Sequence, residues 1–194
     1  PPSLPILRRA DDASIGEQKR RTILAEVVLE LDRRREMRRK GARCGVRLHA
    51  VAPYFRLQTA AGETITRAQY RQRQHLVLAF LPDPTAPEVQ TLLDGLAAQH
   101  DEFAQASAAL YIVSTQPAPL PAPLVLLIDP GGTVRDTYAA IFAPDEQPAP
   151  GEPFTIILDR YGTPAGAAVG VPDSDTVAAD LLSWVWGIEY DCPE

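Results

Sequence analysis

His75-Leu-Val-Leu-Ala-Phe-Leu-Pro-Asp-Pro-Thr-Ala-Pro-Glu88 decides the fold. Leu76 to Leu81 is an unbroken apolar run of strand length, the pattern of a strand covered on both faces. Pro82, Pro84 and Pro87 end it, since proline has no N–H to give a sheet ladder. A helix is then predicted over 89–103, with Leu92, Leu93, Leu96 and Phe103 as its buried stripe. Ala109-Leu-Tyr-Ile-Val-Ser114 reads as the next buried strand. Strand, helix, strand in this order implies parallel pairing and a right-handed crossover.

The same reading extends outward. Upstream, Ala52-Pro-Tyr-Phe-Arg-Leu57 is a short strand, followed by a turn at Gly62, a second short strand and a helical stretch over 67–73. Downstream, alternating Pro117, Pro119, Pro121 and Pro123 predict an extended connector; a rigid loop or a PxxP ligand would both suit it. Leu124-Val-Leu-Leu-Ile128 is apolar and ends in the turn Asp129-Pro-Gly-Gly132. A helix over 133–142 would present Val134, Tyr138 and Ile141 on one side. Phe154-Thr-Ile-Ile-Leu158 is another buried strand; a hairpin turn at Asp159-Arg-Tyr-Gly162 leads to an edge strand over 163–169. Asp173 or Ser174 can cap a last helix with Leu181, Leu182, Val185 and Ile188 inward. The fold class is α/β, a mixed sheet with helices on both faces.

Three segments are expected: an extended arm over 1–13, a basic helix over 14–43 opened by the capping box Ser14-x-x-Glu17, and a body over 44–194. Residues 1–44 carry 12 Lys+Arg against 7 Asp+Glu, a net of +5, whereas 45–194 carry 7 against 18, a net of −11. The run Arg33, Arg34, Arg35, Arg38, Arg39, Lys40 has almost no apolar face. A solvated helix face, an acidic protein surface or anionic lipid would each fit it. Nucleic acid is not expected, because aromatics do not interleave the run and the body is acidic.

No apolar run approaches the ~20 residues of a membrane-spanning helix, and 1–9 holds no signal-peptide core, so a cytoplasmic setting is expected. The two cysteines, Cys44 and Cys192, do not form CxxC, and His49, His75 and His100 match no metal spacing. No metal and no cofactor is expected. No G-x-S-x-G elbow or phosphate loop is present.

Over 45–190 the layout resembles the peroxiredoxin branch of the thioredoxin-like superfamily, the alkyl hydroperoxide reductase/thiol-specific antioxidant (AhpC/TSA) type. The residues that carry the resemblance are Ala52-Pro53-x-Phe55-x-Leu57 with Gly62, Leu76-Val-Leu-Ala-Phe80 with Pro82, and Val113-Ser114. Ile128-Asp129-Pro130-x-Gly132-x-Val134 with Tyr138, and Ile157-Leu158-Asp159-Arg160-Tyr161-Gly162, complete it. It implies a thioredoxin-like three-layer α/β/α domain with a central mixed sheet.

The resemblance also implies a reactive cysteine seven residues after Pro82, with a Thr or Ser hydroxyl three residues before it. Counting from Pro82 places Ala86 at the hydroxyl and Val89 at the thiol; a one-residue deletion places Thr85 and Glu88 there instead. Neither register holds a cysteine. The family's arginine before the later strand falls on Pro153, which in the thioredoxin branch is the cis-proline position.

Any redox role is left to Cys44 and Cys192. Cys44 follows the C-terminal end of a predicted helix and Cys192 lies among Glu189, Asp191 and Glu194, settings that disfavour a thiolate. Free thiols are expected, with a disulfide between the two as the alternative. Trp184 and Trp186 cannot share one helix face; one is expected in the core and the other, with Tyr190, in a partner-binding patch or under the N-terminal helix. The expectation is a redox-inactive peroxiredoxin-like accessory or structural subunit, docked through its basic helix and arm on a protein partner in a larger assembly, at the periphery of a membrane complex or free of one. The alternatives are a thiol oxidoreductase or peroxidase using Cys44 or Cys192, and a peptide-binding regulator.

Overall fold

A strand whose every residue is apolar needs a layer on each side, and both are present. The computed structural model describes residues 43–44, 48, 51–171 and 177–191. The expected arm, the basic helix with Arg33, Arg34, Arg35, Arg38, Arg39 and Lys40, and Cys192 lie outside the described residues.

The strands are β1 (Arg43–Cys44), β2 (Arg56–Thr59), β3 (Thr64–Thr66), β4 (His75–Phe80), β5 (Ala108–Ser114), β6 (Leu126–Ile128), β7 (Phe154–Leu158) and β8 (Pro164–Val169). The helices are α1 (Pro87–Ala98), α2 (His100–Gln105), α3 (Thr133–Ala139) and α4 (Val177–Asp191). One mixed sheet runs β1-β8-β7-β4-β5-β6-β2-β3. β4, β5 and β6 are parallel, and β7 lies antiparallel to β4.

Alternation along β4 divides the core in two. Val77, Ala79 and Leu81 pack with Leu93 and Leu96 of α1, Phe103 of α2, and Leu181 and Val185 of α4. Leu76, Leu78 and Phe80 face the other way, towards Tyr138 of α3, Phe142, Phe55 and Ile65. Each large side chain fully buried in this way contributes about 1.5–3 kcal/mol. Helix α1 meets α4 at Gly95, where an added Cβ would stand 3.1 Å from the Ala178 Cβ.

Two expectations are corrected. The helix predicted over 89–103 is two helices, divided at Gln99 (φ −101°, ψ 8°). Leu96 and Phe103 stay on one face across that residue, so the periodicity carries no trace of the break. The strand ending at Val169 is not the sheet's edge, because β1 pairs with it, Arg43 opposite Val169 and Cys44 opposite Ala168. A two-residue strand is too short to show alternation. Among the described residues no helix is long and apolar enough to cross a membrane.

Candidate functional site

The junction of β4 with α1 is set by its prolines. Leu81 still donates its N–H to the Val113 carbonyl (2.9 Å), but Pro82 has no N–H and the ladder stops there. The buried Ser114 hydroxyl donates to the Pro82 carbonyl (3.2 Å), tying the strand end to β5. Asp83 then organises the turn: its Oδ1 accepts from the Thr85 N–H (2.9 Å) and the Thr85 hydroxyl (2.6 Å). The Thr85 hydroxyl, followed by the backbone, holds the Asp83 carboxyl below the usual carboxylate range. Pro87 opens α1 where its missing N–H has no helical partner to lose, and Glu88 suits the dipole of the first turn. The Gln90 amide donates to the Pro84 carbonyl (2.8 Å), closing the turn on the helix.

Each residue of the expected reactive motif can now be placed. Ala86 is half-buried and offers no hydroxyl. Val89 is 2% exposed and packs into the core. In the other register, Thr85 and Glu88 are exposed, and the Thr85 hydroxyl is taken up by Asp83.

The opposite wall is the start of β7. Phe80 pairs with Phe154, and their rings stack at 4.6 Å. By that register Pro153 stands beside Leu81, at the position the resemblance implied. Its peptide bond is trans, however; the cis bond among the described residues is Ala122–Pro123.

An arginine does reach this corner, but from α3. Arg135 Nη2 donates to the carbonyls of Ala149 and Glu152, both at 2.8 Å, and Nη1 meets Asp136 at 3.2 Å. Its guanidinium carbon lies 5.4 Å from the Phe154 ring centroid. Asp129 fixes the start of α3 by accepting from the N–H groups of Val134 (3.2 Å) and Arg135 (2.9 Å). Sequence reading placed Asp129 in a turn and in the family pattern without giving it this role, and it missed Arg135. The signal for Asp129 was its carboxylate just before a helix start; Arg135 had none, because its partners lie 14 and 17 residues away.

Cys44 is remote from the junction. Its backbone is in register with Ala168, Thr155 and Ala79 in turn, three strand spacings from β4, roughly 14 Å. Trp184 and Trp186 are both half-buried and both pack against the core under α4; neither is among the exposed large apolar side chains. No group of His, Cys, Asp and Glu suited to a metal occurs among the described residues.

The AhpC/TSA family profile matches residues 48–165. The chain belongs to the AhpC/TSA family. Solved structures agree on the fold. The AhpC/TSA domain is similar to peroxidoxin BcpB from Mycobacterium tuberculosis (18% identity, TM-score 0.61, covering 74% of this chain and 98% of that one). It is similar to peroxiredoxin Q from Xanthomonas campestris (21% identity, TM-score 0.61, 75% and 98%). A thiol:disulfide interchange protein, DsbE, from Chlorobium tepidum also matches (15% identity, TM-score 0.55, 73% and 99%). At these identities the likeness establishes the thioredoxin-like fold alone. No curated protein is similar enough to this chain to count as a match.

Proposed function

We propose that this AhpC/TSA domain is redox-inactive and works as an accessory or structural subunit, docking on a larger protein assembly through residues 1–43. One observation carries the proposal. The junction of β4 with α1, where the resemblance puts the family's reactive cysteine, holds Ala86 and a core-buried Val89 in one register and Thr85 and Glu88 in the other, with no thiol in either. Peroxide reduction begins by thiolate attack on the O–O bond, and no thiolate can form here. The net of +5 over 1–44 against −11 over 45–194 supports docking on an acidic partner. The proposal includes a cytoplasmic setting, with the assembly either at the periphery of a membrane complex or free of one.

The test is the native mass of the protein extracted gently from its source, with co-migrating chains identified. Stable co-migration in a large complex, lost on deleting 1–43 while the body stays folded, is the expected result. A free monomer, or association indifferent to that deletion, overturns the docking role. Peroxide turnover abolished by Cys44→Ser with Cys192→Ser would establish the thiol enzyme instead.

A further inference from the structure

The end of β4 opposite the α1 junction bears a cavity whose role is independent of the subunit proposal. Leu76 and Leu158, paired across β4 and β7 and both buried, floor about 200 Å³ of space. Tyr54 and Tyr161 stand at its mouth, 63% and 57% exposed. They are two of the four exposed large apolar side chains among the described residues. Single exposed apolar side chains are ordinary, but two aromatic rings at one cavity with an apolar floor mark a binding site. An apolar cavity of about 150 Å³ admits one benzene ring, so the space here holds a single ring with a small substituent.

The charges of the pocket cancel. Arg67, Arg71 and Arg160 line it together with Asp159, and Glu63 stands close enough to act on the Tyr70 phenol. Arg160 has an interaction of its own, which leaves two arginines against two carboxylates. An ion entering would lose hydration and meet no excess of opposite charge. A neutral aromatic ring loses little hydration, and its π face is attracted to a guanidinium without any counter-charge. Gly162 leaves such a face uncovered: an added Cβ there would stand 3.5 Å from Cζ and Nη1 of Arg67 and 3.6 Å from Nε. The Arg67 guanidinium is fixed in place by the Ala52 carbonyl, to which Nη1 donates.

The pocket also holds a directed donor. The hydroxyls of Tyr70 and Tyr111 share a hydrogen bond of 2.5 Å. One of them donates, so the other keeps its proton, and neither has a further hydrogen-bond partner among the described residues. Tyr70 lines the cavity and Tyr111 does not. Burial, followed by the Tyr111 hydroxyl, holds the Tyr70 phenol above its usual range, so it remains a neutral donor at ordinary pH. The walls are preformed: the Gln72 N–H donates to the Arg160 carbonyl at 2.6 Å, with Gln72 in the left-handed region at φ 62°.

We infer that this pocket binds a small neutral aromatic molecule carrying one hydrogen-bond acceptor, such as an aromatic amide. The ring lies over Leu76 and Leu158, bordered by Tyr54 and Tyr161. Its oxygen accepts from the Tyr70 hydroxyl, while Tyr111 donates to Tyr70.

The probe is benzamide, titrated into the full chain and followed by NMR shifts of the tyrosine rings. Binding at about 1 mM or tighter is expected for a ligand of this size. Acetamide lacks the ring, cyclohexanecarboxamide has a ring without a π face, and benzoate replaces the neutral amide by a charge. Each should bind about tenfold weaker or more. Tyr70→Phe and Tyr161→Ala should each weaken benzamide about fivefold or more, with unchanged circular dichroism. Val51→Ala trims an exposed apolar side chain outside the cavity lining and should alter binding less than about twofold. No binding of benzamide to the parent chain overturns the proposal, as does equal weakening by Val51→Ala and Tyr161→Ala. Benzoate binding as tightly as benzamide overturns the neutral class, and cyclohexanecarboxamide or acetamide doing so overturns the aromatic one.

Discussion

The Tyr138 hydroxyl donates to the Pro53 carbonyl at 2.8 Å, joining residues 85 apart in the chain. The ring is fully buried, 5.4 Å from the Phe80 ring centroid and 6.3 Å from that of Phe55. That one contact seats the segment before β2 on helix α3. Burial pushes the phenol well above its usual range, with Arg67 opposing.

Tyr138→Phe keeps the ring and removes the donor. Urea unfolding should show a loss of about 1 kcal/mol at neutral pH, as expected for a half-buried acceptor left without its partner. A raised folded pKa gives stability that is complete below the unfolded phenol's value of 10.0 and is lost as pH rises above it. The Phe variant should therefore lose less stability than the parent between neutral and strongly alkaline pH. An unchanged alkaline limb would contradict the assignment.

Restoring a thiol should not restore reactivity. In a Cys44→Ser, Cys192→Ser background, Val89→Cys puts a thiol where the side chain is 2% exposed, with Ala86 in place of the hydroxyl and Pro153 in place of the arginine. Glu88→Cys puts one on the exposed side of the same turn. Native labelling with a disulfide reagent should be about 100-fold slower or more at position 89 than at 88, because a buried thiol waits for local opening. Rapid labelling at 89, or peroxide consumption by that variant, would show that the corner still activates sulfur.

Helix α1 can approach α4 closely because Gly95 has no side chain. Gly95→Val places a branched side chain against Ala178, whose Cβ is 3.1 Å from where the new Cβ begins. Overpacking there should cost about 1–3 kcal/mol, read by urea unfolding. Gly131→Ala is a poor comparison because φ is 85° there, so Ala97→Val, on the half-buried flank of the same helix, is the control. Equal losses at 95 and 97 would remove the argument from contact.

Asp83 titrates in the open. Its carboxyl should be found by NMR below 3.8, the ordinary aspartate value, and Thr85→Val should move it back towards that value by removing the hydroxyl donor. A lowered folded pKa gives a contribution present above the unfolded value and lost as pH falls through the folded one. The turn should therefore loosen only in strong acid. An Asp83 titration identical in the parent and Thr85→Val would refute the bond.

The layers of the domain were legible in particular residues. The apolar run ending at Leu81 marked the sheet's centre, and the inward stripes of α1 and α4 marked one of its faces. That no cysteine stands near this junction was equally plain, since it needs only reading on from Pro82. Pro153 was placed beside the junction but not in its isomer, and Trp184 and Trp186 were divided between core and surface when both pack half-buried against the core. A proline's isomer and a half-buried tryptophan's surroundings depend on neighbours that local periodicity does not encode.

By itself, the sequence determined which residues leave water, because burial on a strand or helix repeats every two or about 3.6 residues and can be read locally. It also determined that no cysteine follows Pro82 before Cys192. Only the tertiary structure decided where isolated polar groups meet: Arg135 on the Ala149 and Glu152 carbonyls, Cys44 in register with Ala79 across three strand spacings, and Arg67, Arg71 and Arg160 around one cavity. Such meetings join residues far apart in the chain and have no period, so they follow from how the sheet orders its strands and not from any single stretch of them.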